Sequence, residues 1–388
     1  MLEKVFIGSK KYWAWVIFLC ALVGTGTLAF IYQFQEGLQV TDMSRDVTWG
    51  IYIAQFTFFV GVAASAVMVV LPYYLHNYKE FGKITILGEF LAIGAVLMCM
   101  TFIFADMGQP LRILNVFLHP TPNSPMFWDT VSLFGYMILN ILISHVALKS
   151  EKNGMHPPKW IKPIIILSIP WAVSIHTVTA FLYSGLAARP FWMSAIMAPR
   201  FLATAFSAGP ALLIVLCLLL RKISNFHVGK EPLQKLAIIA TYAMLLNVFF
   251  LSLEIFTAYY SGMHHHTAHF QFLYFGLEGN YTLVPFMWTS TVLAIGSILL
   301  LIVPKWRKNE GMLLWASIFV FLSIWLDKGL GMIVAGLTPT PLGHVVSYFP
   351  TITEFLITLG IFGLGALVVT GLYKIALTVR RQLKPITN

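Results

Sequence analysis

Residues 48–75 read TWGIYIAQFTFFVGVAASAVMVVLPYYL, twenty-eight consecutive positions without a charged side chain. A helix needs about 20 apolar residues to cross the hydrocarbon of a bilayer, so this stretch is long enough to do so. Outward from it, stretches of the same kind recur at 13–33, 84–106, 128–149, 163–184, 200–220, 236–262, 283–303, 313–336 and 349–377, ten in all. Backbone groups in hydrocarbon must find partners inside their own segment unless a barrel closes. Barrel strands would be about ten residues of alternating polarity, which these are not. The reading is therefore an all-α integral membrane fold of about ten transmembrane helices. Composition agrees: 58% of the 388 residues are hydrophobic, 10% are charged and the mean hydropathy is +0.80, whereas soluble domains carry about 25% charge. A cytosolic enzyme, a single-span receptor and a disordered chain are excluded. The stretch at 13–33 exceeds a signal-peptide core and lacks a small-residue cleavage site after it, so it is expected to stay as a helix. Ten spans and their loops leave no room for a soluble domain.

The basic residues set an orientation, because loops rich in Lys and Arg stay on the cytoplasmic side. The N-terminal segment, the loops after the second, fourth, sixth and eighth spans, and the tail with Lys374, Arg380, Arg381 and Lys384 hold 20 of them. The opposite loops hold four: Arg45, Arg112, Arg189 and Arg200. Both termini are expected in the cytoplasm, with a multi-pass chain in the cytoplasmic (inner) membrane. The sequence pI near 9.4 reflects these anchoring loops and gives no support to nucleic-acid binding. The long loops near 34–47, 107–127, 185–199, 263–282 and 337–348 then face outward. They are poor in charge and rich in Gly, Pro, His and aromatics, which suits packing against something better than free solvation.

An internal echo links VGVAASAVMVV at 60–70 with AFSAGPALLIV at 205–215. It reads either as ordinary close packing through small residues or as a repeat. The repeat gives two related four-helix bundles, helices 2–5 over 48–184 and helices 6–9 over 200–336, with two peripheral helices in a single membrane domain.

Ionisable groups inside spans are costly and mark candidate sites. Glu89, His145, His176, Glu254, Asp327, Lys328 and Glu354 lie within them, with Asp106 and Asp129 at outer helix ends and Gln55, Asn140 and Asn247 as neutral polar groups. His176 lies eight residues before Ser184, about 12 Å below the outer surface. It either donates to a neighbouring helix or hydrogen-bonds the carbonyl or hydroxyl of a hydrophobic ligand and handles its proton, chemistry suited to a group titrating near neutrality. Gln55 sits at a comparable depth. Lys328 requires a carboxylate counter-ion, for which Asp327, Glu254 and Glu354 are available. That set forms either a structural ion pair or, with Glu89, a proton relay. Asp106 and Arg112 flank Gly108 and Pro110, a turn that could fold them into a salt bridge. Cys20, Cys99 and Cys217 are scattered singly in apolar runs, without zinc or iron–sulfur spacing. His264, His265, His266 and His269 could bind a metal or pack a loop, and packing is preferred. Paired histidines for haem are lacking. The site carries no metal on this reading.

Several motifs carry a family resemblance that covers most of the chain. In FADMGQPLRILNVFLHPTPNSPMFWD at 104–129, Asp106, Gly108, Pro110, Arg112, Ser124 and Met126 resemble a signature of the NrfD/polysulfide-reductase membrane subunit family, and YSGLAARPFWMSAIMAPRFLATAFSAGPA at 183–211 is similar to its second conserved segment. SIHTVTAF around His176 and WLDK at 325–328 resemble its ten-helix branch, although Asp-Lys stands where relatives often have Glu-Arg. The stretch 44–76 looks like the DsrP (Dsr-complex) or Hme-type membrane subunit. The resemblance implies a quinone-interacting subunit that exchanges electrons between menaquinol/menaquinone, or another quinone, and an outer-face partner, linked to sulfite/sulfate metabolism. It implies no haem or iron–sulfur cluster in this chain. The implied partners are a periplasmic-side ferredoxin-like iron–sulfur subunit and a multihaem cytochrome, with a haem b membrane subunit and a cytoplasmic iron–sulfur subunit as further members. His176, Gln55, Asp106, Arg112 and Tyr183 are then the quinone-binding candidates, and Glu254, Asp327, Lys328, Glu354 and Glu89 the proton-relay candidates. A secondary transporter with a midplane substrate site and a purely structural anchor for outer redox proteins are the rival readings.

Overall fold

The computed structural model describes residues 2–74, 78–155, 157–224, 226 and 228–383; Lys384 lies outside them. Ten helices are long and apolar enough to cross a membrane: α1 Lys10–Glu36, α2 Ile51–Tyr74, α3 Gly82–Asp106, α4 Pro125–Lys152, α5 Ile161–Ser184, α6 Met197–Ile223, α7 Lys230–Tyr260, α8 Val284–Ile302, α9 Glu310–Leu337 and α10 Ile352–Arg380. Most overrun their apolar stretches by a turn, as helices do when polar ends reach the interface. Caps fix two starts: the Ser9 hydroxyl accepts from Tyr12 N–H at 3.3 Å at α1, and Asn309 Oδ1 accepts from Gly311 and Met312 N–H at α9.

Helices α2 to α5 pack in sequence, α2 on α3, α3 on α4, α4 on α5, with α5 returning to α2; α6 to α9 close in the same manner. Helices α1 and α10 pair with each other, and α10 lies on α3. Glycines let that pair approach: a Cβ on Gly26 would stand 2.5 Å from the Gly360 Cα. Helix α2 is at the centre, with 94% of its apolar core enclosed against 11% for α1. It touches α6 and α9, and Gly61 faces Ala205 closely enough that an added Cβ would lie 3.6 Å from the Ala205 Cα. The two echoed segments thus meet each other, which gives their small residues a direct packing role.

Both central helices are irregular, a feature the apolar pattern does not announce. Helix α2 tightens at Ala64–Ala66, and α9 widens into a π-helical turn at Trp325–Gly331, where it contacts α2. π-turns cluster at functional sites because they re-aim side chains.

The five long loops gather at one end of the bundle, here the long-loop face. Part of that loop material packs inward. Trp192 is buried beneath Gly336 and donates its indole N–H to Met332 O at 2.9 Å. The short helix His264–Tyr274 seats His269 in the interior, its Nδ1 3.3 Å from Thr338 O and its ring 5.2 Å from that of Phe191. Burial pushes His269 down to about 4. The unfolded chain therefore binds a proton below pH ~6.5 that the folded chain refuses until about pH 4. Stability from this group is full above pH ~6.5 and falls as pH drops through that window. In thermal unfolding between pH 7.5 and 4.5, His269→Phe should flatten the acid-side decline relative to the parent; an unchanged slope would remove His269 as its source.

Candidate functional site

A cavity of about 390 Å³ opens on the long-loop face between the start of α2 and the 185–189 loop, bounded by Thr48, Trp49, Arg189 and Leu337. Its base is aromatic. Trp49 stacks on Trp192 with centroids 5.6 Å apart, and the Tyr183 ring meets Trp49 edge-on at 5.7 Å. Thr57 gives its only hydroxyl proton to Ile53 O at 2.7 Å, so in its hydrogen bond with Tyr183 the phenol is the donor. Arg189 ties the rim to α9 by donating to Leu337 O at 3.0 Å. Partial burial lowers its pKa, against the pull of Asp46.

Below this base, α2, α5 and α9 carry three buried polar side chains with unpartnered atoms among the described residues: Gln55 Nε2, Lys328 Nζ and, beyond an approach to the Ala172 carbonyl of its own helix, the ring nitrogens of His176. The Gln55 carbonyl is held by Trp325 Nε1 at 2.6 Å, which leaves its amide protons free. Lys328 Nζ sits 4.0 Å over the Phe201 ring and close to Gly61, 3.4 Å from where a Cβ would stand. It is also a neighbour of His176. Buried polar atoms without partners are rare and costly in hydrocarbon surroundings. Unpartnered N–H groups of this kind can bind the oxygen of a neutral or anionic group.

Lys328 does not take the counter-ion that its sequence context suggested. Asp327 and Glu254 are both claimed by Arg200, whose Nη2 lies 2.8 and 3.0 Å from the two Asp327 oxygens and whose Nη1 lies 2.7 Å from Glu254 Oε2. The third available acid, Glu354, is fully buried at the start of α10, accepting from Tyr348 O–H at 2.7 Å and from the N–H groups of Thr351 and Asp42. The reason is geometric: successive helix residues point about 100° apart, so Asp327 reaches Arg200 while its neighbour Lys328 lies against Gly61 of α2 and the Phe201 ring. Arg200 is thus the guanidinium partner that the Asp-Lys pair of α9 itself does not carry. Its position at the very start of an apolar run, on the side poor in basic residues, was the available signal.

The other candidates are dispersed. Asp106 is half-buried with Oδ1 unpartnered among the described residues, near Tyr52 and Glu354. Arg112 is exposed, and among the described residues the two form no salt bridge, because the short turn Pro110–Arg112 buries Pro110 and turns Leu111 and Arg112 outward. Glu89 is 1% exposed with both oxygens unpartnered, so it does not snorkel to the interface. Asp129, at the start of α4, accepts from Thr179 Oγ1 at 2.5 Å, a pairing not anticipated from sequence. Among the described residues no three His, Cys, Asp or Glu side chains are grouped to hold a metal ion.

Fold and site together define a polytopic, all-α membrane protein with a polar niche set beneath one face. The family model described as "Polysulphide reductase, NrfD" matches residues 39–338, and the chain belongs to that family. It is 26% identical to a putative dimethyl sulfoxide reductase membrane subunit of Halobacterium salinarum over 92% of this chain and 89% of that protein. It is 22% identical to the Hdr-like menaquinol oxidoreductase integral membrane subunit of Archaeoglobus fulgidus over 100% and 98%, and 23% identical to a selenate reductase subunit of Mesobacillus selenatarsenatis over 69% and 70%. These relatives belong to multi-subunit redox complexes of the membrane.

Proposed function

We propose that this chain is the quinone-interacting membrane subunit of a respiratory electron-transfer complex, with menaquinone as the carrier. The observation that carries the reading is the niche itself: three polar side chains with unpartnered atoms, buried beneath an aromatic base and a cavity on the loop-rich face. The Archaeoglobus relative, a menaquinol oxidoreductase subunit by name, points to the same carrier. A bound quinone supplies two-electron, two-proton redox chemistry.

The residues fit such a group. Lys328 and Gln55 present N–H donors, and His176 presents a ring able to hold or release a proton at a nitrogen. Tyr183 anchors the base by its bond to Thr57, and the aromatic layer of Trp49 and Trp192 limits water access from above. Asp106 lies nearer the surface, and Arg112 belongs to the surface on which a partner docks. Proton-relay roles for Glu89, Glu254, Asp327, Lys328 and Glu354 form part of this proposal. Glu89 is the strongest among them, since a buried carboxylate with no partner among the described residues can take up a proton without breaking any bond.

On the same reading the basic-residue bias places both termini in the cytoplasm and the cavity on the periplasmic side of the inner membrane, where a ferredoxin-like iron–sulfur subunit and a multihaem cytochrome dock. The complex also includes a haem b membrane protein and an iron–sulfur protein on the cytoplasmic side, and its metabolism is that of sulfur compounds, as in Dsr-type assemblies. The packing of α2–α5 and α6–α9 supports an organisation of two four-helix bundles.

The test is quinol-linked electron transfer in the purified complex. His176→Ala should lower its rate by about a hundredfold, the usual size of a lost acid–base contribution, with the complex still assembled. Full activity in that variant would overturn the assignment. Isolation of the chain without any iron–sulfur or haem protein, together with solute uptake in vesicles, would instead favour a transporter.

A further inference from the structure

We propose that a second ligand site lies in the membrane-side cavity between α7 and α8, and that it binds the hydroxyl-bearing ring of a quinol-class isoprenoid in the reduced form. The cavity, about 570 Å³, shares no lining residue with the one on the long-loop face, and the inference stands whether or not that one holds a quinone. Its volume is in the range of small-molecule pockets. Its rim residues Tyr259, Trp288 and Ile295 are about half exposed on the flank that lipid covers, so access is lateral and an apolar tail can trail into the bilayer.

The polar groups select the head. The Ser252, Ser290, Thr291 and Ser323 hydroxyls and the Trp288 indole already give their protons to backbone carbonyls. What remains is Asn247, 3% exposed with Oδ1 unpartnered, the Tyr274 phenol, and Asp327 at the floor. Satisfying the Asn247 Oδ1 therefore requires a donor on the ligand, which a hydroxyl supplies and a quinone carbonyl does not. Burial pushes the Tyr274 phenol up to about 12, so it stays neutral; its proton goes to Thr291, whose own is given to Met287 O, and its oxygen is left to accept from a ligand hydroxyl. Among the described residues no Lys or Arg lines the cavity, which disfavours a phosphate head. Arg200 already neutralises Asp327 from behind, so a cation would find no free charge. The first niche offers unpartnered donors and this cavity an unpartnered acceptor, so the two are complementary to the oxidised and reduced forms of one class of carrier. The adjacent residues Lys328 and Asp327 face them respectively.

The test is photo-crosslinking of the full-length chain in nanodiscs with diazirine-tailed menaquinone, kept oxidised or reduced, against diazirine-tailed phosphatidylglycerol. The reduced probe should label peptides spanning 247–259 or 288–295 at a concentration about tenfold below that needed by the oxidised one, as expected for one lost hydrogen bond to a buried group. Asn247→Leu should abolish that preference, and Ala294→Phe should block labelling. Unlabelled short-chain menaquinol should compete in the parent protein, a measurement that needs no variant. Equal labelling by phosphatidylglycerol would show an ordinary lipid groove and overturn the proposal, as would labelling indifferent to redox state or absent from both peptides.

Discussion

Replacing Lys328 by methionine is expected to cut quinone-linked electron transfer by at least about a hundredfold while leaving the protein as stable as before or more so. The two effects have one cause. Lys328 Nζ is buried, has no hydrogen-bond partner among the described residues and no carboxylate beside it, since Arg200 holds both nearby acids. An unpaired ammonium in such surroundings costs several kcal/mol of desolvation, and the contact with Phe201 at 4.0 Å returns only about 2 kcal/mol of it. Methionine fills the same volume without that cost, so thermal unfolding should shift upward by the equivalent of roughly 1–3 kcal/mol. The activity loss follows from the same unpaired charge. A preorganised donor aimed at developing negative charge in a water-poor site contributes about 10²–10³ in rate. A Lys328→Met protein with full activity would remove the lysine from the site. One that unfolds several kcal/mol more readily would show that the ammonium is structurally paired.

This combination could not be read from the chain. Ten spans, their boundaries to within a turn except at the start of α7, and the class of fold follow from runs such as 48–75, because in lipid a long apolar segment has one backbone solution. Family membership follows from loop and helix motifs such as 104–129. Side-chain pairing does not follow. Asp327 stands among the possible counter-ions of Lys328, yet adjacent helix residues point about 100° apart and the two take different partners, and nothing in WLDKGLG announces the π-turn at Trp325–Gly331 on which they sit. His176 and Gln55 stand out by depth, and the structure finds each with an unpartnered nitrogen. Asp106 and Arg112 are joined on sequence proximity alone, and a three-residue turn parts them. Arg200 counts with the loop charges, although the apolar run begins at that very residue, and which two acids it pairs with, Asp327 and Glu254, is not written in one dimension. Residue type and depth are legible in one dimension; which of two faces a side chain takes depends on backbone geometry fixed by packing.

Arg200→Leu is expected to be the most destabilising single change in the second half of the molecule, by about 3–5 kcal/mol. Among the described residues, Arg200 is the one cation joining α6 to Asp327 of α9 and Glu254 of α7, and its loss leaves two carboxylates buried at side-chain exposures of 11% and 12%. The origin of the loss is testable by a cycle. If the penalty comes from uncompensated charge, then Arg200→Leu combined with Glu254→Gln and Asp327→Asn should recover most of the stability, as neutral replacements of buried ion clusters commonly do. Failure to recover would place the cost in packing around Phe201 and Trp325 instead. The recovered triple variant also separates the two readings of these acids. A brace has no further role once neutral side chains hold the helices, so electron transfer and any coupled proton movement in proteoliposomes should both persist. A relay requires groups that exchange protons, and Asn and Gln do not. Electron transfer that continues while proton movement stops would assign Glu254 and Asp327 to the relay, with Arg200 the group that keeps them charged between transfers.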